Sequence, residues 1–191
     1  MMTFSLYDAV VPSNLQILGA VDGLIDKAEA FAAEKGMTPE ALIDARLAPD
    51  MLPFGYQIKS VAEHSIGGIE GVKSGNFSPS LAAWPTDFAG LHQRMRDAIE
   101  TLKGVDRAEF DALADRDTQF SMGELRMPFT GAQFLLSFSQ PNFYFHATTA
   151  YGILRAQGVK LGKRDFLGRC GFRGDAGRDR LSADRPLSAP D

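Results

Sequence analysis

The stretch TGAQFLLSFSQPNFYFHATTAYGILRAQG, residues 130–158, decides the fold. Thr130 and Gln133 have the spacing of a capping box, in which each side chain bonds the other residue's backbone N–H. A long helical segment from Gly131 to Gln157 follows, and Gly158 ends it. Pro141 removes one backbone donor and crowds the carbonyl of Ser137, so a break or kink is expected near Ser139–Gln140. Asn142 and His146 are one helical turn apart and share a face.

Upstream of this helix, Thr118-Gln119-Phe120-Ser121-Met122 and Leu125-Arg126-Met127-Pro128-Phe129 flank Gly123, the pattern of a small β-hairpin. A turn of helix is expected at Ala108–Leu113. Phe88, Leu91, Met95, Ala98 and Leu102 step by three and four, one stripe of a helix that Thr86 caps and Gly104 closes. Lys73–Ala83 lacks periodicity and reads as a loop. Before it, Phe54, Ile58, Val61, Ser65 and Ile69 line a helix from about Pro53 to Val72, ending among Gly67, Gly68, Gly71 and Gly75. A short helix follows Thr38-Pro39-Glu40, an N-cap, a first-turn proline and an acid at the positive helix end. The first long helix runs from about Tyr7 to Lys35 on the stripe Val11, Leu15, Leu18, Val21, Ile25, Ala28 and Ala32, with Pro12 read as an early-turn residue. These elements predict an all-α fold: an up-and-down four-helix bundle with a short extra helix and a small β-hairpin.

The domain is expected to span residues 1–168. Residues 169–191 mix charge with Gly, Pro and Ser and show almost no apolar periodicity, so they are expected to form a disordered tail. The 191-residue chain is 45% apolar and 23% charged, with a net charge of −4, the balance of an ordinary globular protein. That charge offers no positive field for phosphates, so nucleic acid is not an expected partner. No apolar run approaches the ~20 residues that span a bilayer, and the N-terminus lacks a signal-peptide pattern. Cys170 is the only cysteine, which excludes an intrachain disulfide. A soluble cytoplasmic protein without membrane contact is the expectation.

Three separated motifs carry a resemblance: Arg46-Leu47-Ala48-Pro49-Asp50-Met51; Pro141 to His146 continuing through Ala150-Tyr151-Gly152-Ile153-Leu154-Arg155 to Gly158; and Gly162-Lys163-Arg164-Asp165-Phe166. Together they resemble an uncharacterised bacterial domain-of-unknown-function family within the DinB/YfiT-like superfamily, over roughly residues 3–168. The resemblance implies a four-helix bundle, frequently dimeric. In many members one histidine on the second main helix and two on the last hold a divalent metal used in thiol-dependent transfer or hydrolysis. Here His146 matches one position on the last helix, Asn142 stands where a second histidine is expected, and His64 is the match on the earlier helix.

The metal set is therefore His64, His146 and Asn142, for Zn, Ni or Fe. Asn is a poor ligand for these ions because its carbonyl is neutral. The competing reading makes His146 a hydrogen-bonded histidine in an aromatic core, with Asn142 satisfying backbone groups beside Pro141. Asp50, Tyr56, Gln57, Asn142, His146 and Tyr151 are candidates to line a pocket near His146. Asp50 also reads as a helix cap, with Arg46 as its ion-pair partner. Lys160, Lys163 and Arg164 form a basic cluster that could attract an anion, His92 reads as a surface residue, and Cys170 falls in the tail. Gly67, Gly71 and Gly75 recur every four residues, a small-residue stripe suited to internal packing or a twofold contact. The favoured function is a non-catalytic small-ligand-binding or interaction protein, acting as a homodimer. The alternative is a divalent-metal-dependent transferase or hydrolase using His64 and His146.

Overall fold

The computed structural model describes residues 4–170. They form a mostly helical protein with a small three-stranded sheet. The expected tail falls almost entirely on residues 171–191, outside the described residues. Cys170 differs from its reading as a tail residue: it is half-buried, and Gln16 of the first helix donates to the Leu167 carbonyl at 2.7 Å and to Cys170 Sγ at 3.6 Å.

Helix α1 (Leu6–Lys35) starts at a capping box between Ser5 and Asp8 and ends at Gly36, whose left-handed φ of 63° needs no Cβ. Pro12 lies inside the helix rather than in its first turn. It sits on the exposed face, where water can satisfy the Asp8 carbonyl it leaves free. The short α2 (Pro39–Ile43) has Thr38 at its N-cap position without a side-chain bond. Next, α3 (Phe54–Ala62) passes through a π-helical turn, Glu63–Gly67, into α4 (Gly68–Ser74). Helix α5 (Phe88–Lys103) is capped by Asp87, which accepts from the Gly90 N–H at 2.7 Å, and not by Thr86. Both residue types can cap; only Asp87 is placed to reach that N–H.

The expected loop after α4 contains a strand, β1 (Asn76–Phe77). The short α6 (Arg107–Asp111) precedes the hairpin β2 (Asp117–Met122) and β3 (Leu125–Thr130), which turns at Gly123 with φ 56°. The sheet order is β1-β2-β3, with β1 parallel and β3 antiparallel to β2, so that Asn76 pairs with Gln119 and Phe120 with Met127. The Thr130–Gln133 capping box is present and opens α7 (Gly131–Gln133). A second π-helical turn, Phe134–Ser139, then leads into α8 (Gln140–Ala156), and α9 (Lys163–Leu167) follows. At Pro141 the helix is not broken; its hydrogen bonding changes register at Ser139–Gln140 instead.

Helix α3 packs along α8 and α1 along α5, while α3 also meets α5 and α1 meets α8. The stripes read from the sequence face this core: Val11, Leu18, Val21 and Ile25 on α1, Phe54, Ile58 and Val61 on α3, and Leu91, Met95, Ala98 and Leu102 on α5 are all buried. Burial of such side chains contributes roughly 1.5–3 kcal/mol each before chain entropy is set against it. The glycine stripe belongs to this interior. A Cβ on Gly71 would lie 2.7 Å from the Phe77 Cβ, Gly67 also faces the Phe77 ring, and Gly75 ends α4 with φ 82°.

Candidate functional site

The two π turns meet. Ser139, the last residue of the second, donates its hydroxyl to the His64 carbonyl in the first at 2.7 Å. A Cβ on Gly68 would lie 2.4 Å from the same Ser139 Oγ, so glycine is what allows the approach. A π turn widens the helix and leaves carbonyls poorly served, and such turns recur at functional sites. Here the widened turn carries His64, which is 9% exposed.

His64 stacks on His146 with ring centroids 5.6 Å apart and planes 14° from parallel. Phe77 and Phe138 lie beside His64, at 5.5 and 6.1 Å. Tyr56 and Phe145 present edges to His146, at 5.9 and 5.3 Å. Gln57 fixes the chemistry of His146. Its amide nitrogen donates to the Leu52 carbonyl at 2.8 Å, so its Oε1 faces His146 Nδ1 at 2.7 Å as an acceptor. His146 Nδ1 therefore carries the proton, and Nε2 keeps its lone pair. Burial pushes the His146 imidazole down to about 4. Burial, with the charge of a protonated His146 adding to it, does the same to His64. Near neutral pH both rings are uncharged. The Nδ1 of His64 is buried without a hydrogen-bond partner among the described residues, which costs about 1–3 kcal/mol.

The residues singled out from the sequence divide. His64, His146, Gln57 and Tyr56 come together. Asn142 lies one turn from His146, and its amide nitrogen donates to the Phe138 carbonyl at 2.7 Å, the backbone role open to it beside Pro141. Tyr151 is elsewhere, edge-on to Phe166. Asp50 is exposed and caps nothing, since α3 begins after Pro53, and it forms no ion pair with Arg46 among the described residues.

One polar residue escaped the sequence reading, and another was misplaced by it. Lys59 is only 2% exposed, with Nζ donating to the carbonyls of Ser80 and Ala82 at 2.5 and 2.7 Å and lying 3.5 Å from Glu63. It ties the 78–87 segment onto α3, where Trp84 packs edge-on to Tyr56 and occupies the space a Cβ on Gly55 would need. A Lys59→Met variant is expected to lose about 1–3 kcal/mol, with the two charge-assisted hydrogen bonds that hold the segment. The only tryptophan, Trp84, should then emit at longer wavelength; an unchanged emission maximum would show that Lys59 does not hold the segment. His92 is buried rather than at the surface. Its Nδ1 is 2.6 Å from Asp22, and Nε2 faces Asp26 at 3.5 Å and Glu29 at 3.9 Å. His92 finds its partners far along the chain, and the two carbonyls that hold Lys59 lie in a loop more than twenty residues on.

The resemblance implies a divalent metal, and the residues present do not fit one. Two imidazoles 5.6 Å apart are only part of a ligand set. The Asn142 amide is turned to backbone. Among the described residues, no group of three or more His, Cys, Asp or Glu side chains could hold an ion. Nor is any described helix long and apolar enough to cross a membrane.

With the fold and site in view, the chain is similar to a solved structure of a DinB family member from Shewanella denitrificans. Identity is 32%, the match covers 88% of this chain and 95% of that one, and the TM-score is 0.74. The protein is thus a member of the DinB-like helical proteins. Residues 6–167 match the model of a domain of unknown function, DUF1993, and the chain belongs to that family. No curated protein matches.

Proposed function

We propose that this DinB-like protein is a non-catalytic small-ligand-binding or interaction protein whose contact point is His146. The observation that supports this most is the Gln57–His146 hydrogen bond. It holds a neutral imidazole in one tautomer, with Nε2 left as its acceptor. A ligand meeting it would be uncharged and would donate a hydrogen bond there. A cytoplasmic homodimer is the setting this reading assumes, and light scattering at micromolar concentration checks the assembly. A monomer at every concentration removes the dimer and leaves the site.

The alternative is a divalent-metal-dependent transferase or hydrolase using His64 and His146. It draws on their proximity and on the carbonyl that orients His146, an arrangement common behind metal-bound histidines. Calorimetry with Zn and Ni separates the readings. Wild type is expected to bind weakly or not at all; Asn142→His adds a third imidazole one turn from His146 and raises affinity sharply, roughly tenfold or more, where His64 and His146 converge. Tight stoichiometric binding by wild type that His146→Ala abolishes would replace the first reading with the second.

A further inference from the structure

Beyond the C-terminal end of α8, about 18 Å along the helix from His146, lies a groove of about 310 Å³. It runs between the last turns of α1 and the Gly158–Lys160 segment. Volumes of this order hold small organic ligands. Its apolar floor is the half-buried ring of Phe31, which Gly158 approaches closely: a Cβ there would lie 3.8 Å from Phe31 Cζ, and φ is 93°. A side chain other than glycine would be strained at that φ.

The charge around this floor runs against that of the whole molecule. The chain carries −4, yet Lys27, Lys35 and Lys160 line the groove against a single acid, Glu34. Lys35 lies 5.8 Å over the Phe31 ring and pairs with Glu34 at 3.2 Å, and Lys27 pairs with Asp165 at 2.7 Å. Lys160 is exposed and forms no ion pair among the described residues. The Lys35–Glu34 pair is exposed and worth little in water, and the Lys27 end of its pair with half-buried Asp165 is open to solvent, so both ammonium groups can turn to an incoming anion. A flat apolar ring edged with ammonium groups matches a ligand that has an aromatic face and a negative group at one end. The net negative charge of the protein disfavours a long polyanion at the same place.

We infer that this groove binds a small aromatic anion of the nucleoside monophosphate type, its ring on Phe31 and its anionic group among Lys27, Lys35 and Lys160. This site is separate from the one at His146 and does not depend on it. The test uses AMP, adenosine and inorganic phosphate as probes, with calorimetry and amide chemical-shift mapping on the full chain. AMP is expected to saturate the site, to bind at least about tenfold tighter than adenosine or phosphate alone, and to shift the amides of Gly158, Val159 and Lys160. Lys160→Glu should weaken AMP binding about tenfold or more. Phe31→Leu, which keeps the packing but loses the aromatic face, should bring AMP down to the affinity of phosphate. Phosphate binding as tightly as AMP, shifts mapping elsewhere, no AMP binding, or unchanged affinity in a folded Lys160→Glu variant would each overturn the assignment.

Discussion

Acidification from pH 6.5 to 4 is expected to strip the protein of several kcal/mol of stability. His64 and His146 are both held at about 4 in the folded chain, chiefly by burial, against about 6.5 in an unfolded one. Between these values the unfolded chain takes up protons that the folded chain refuses. Stability is therefore fully present above about 6.5, falls as pH falls, and the contribution levels out below about 4. A displacement of this size corresponds to an amount on the order of 3 kcal/mol per ring. Asp8, lowered to about 2 chiefly by its hydrogen bond to Arg107, acts in a different window, from 3.8 downwards. Urea midpoints measured every half pH unit give the profile. His64→Phe removes one of the two titrations and the orphaned Nδ1 together. It should be no less stable than wild type at pH 7, with a shallower decline between pH 6.5 and 4. Parallel profiles for the two proteins would show that the stacked pair does not govern this range.

The second large effect lies where α7 begins. Gly131 donates its N–H to the Arg116 carbonyl at 2.8 Å, and Ala132 donates to the Ala114 carbonyl at 2.9 Å. These two bonds dock the start of the helix on the segment before β2. A Cβ on Gly131 would lie 2.0 Å from the Leu113 carbonyl oxygen and 2.8 Å from the Val72 side chain. The nearer atom is backbone and cannot rotate away. Gly131→Ala is therefore expected to cost more than about 3 kcal/mol, near the top of the range for single substitutions. Gly19 and Gly23, inside α1 with nothing within 4 Å of their Cβ positions, should respond oppositely: alanine there is expected to add about 0.5–1 kcal/mol each. Thermal melts of the three variants check both signs, and a Gly131→Ala protein melting with wild type would mean that the docking is looser than the geometry implies.

What was legible in the sequence follows from where each partner sits. The stripes of α1, α3 and α5 were readable because the core selects apolar residues at the helical period. The hairpin was readable from two short runs around Gly123, and the Thr130–Gln133 box from its spacing. The meeting of His64 and His146 was expected from the resemblance, and the structure brings them together. Strand β1 was not readable: two residues carry no periodicity, and what makes them a strand is the parallel pairing of Asn76 and Phe77 with Gln119 and Phe120. His92 and Lys59 were hidden for a related reason, since Asp22 stands seventy residues from His92 and the Lys59 acceptors are loop carbonyls. Asp50 failed as a cap because Pro53, three residues on, sets the start of α3.

The π turns also bear on how this chain tolerates changes of length. Each accommodates one residue more than an α-helical turn over the same rise, so it takes up an insertion that would otherwise rotate everything beyond it by about 100°. Removing one residue from Glu63–Gly67 would let that turn close into ordinary α-helix while α3 and α4 keep their facing. The same holds for Phe134–Ser139. The single-residue deletions that wreck most buried helices thus have two permissive places in this one, and what each would forfeit is local: the hydroxyl-to-carbonyl link between Ser139 and His64.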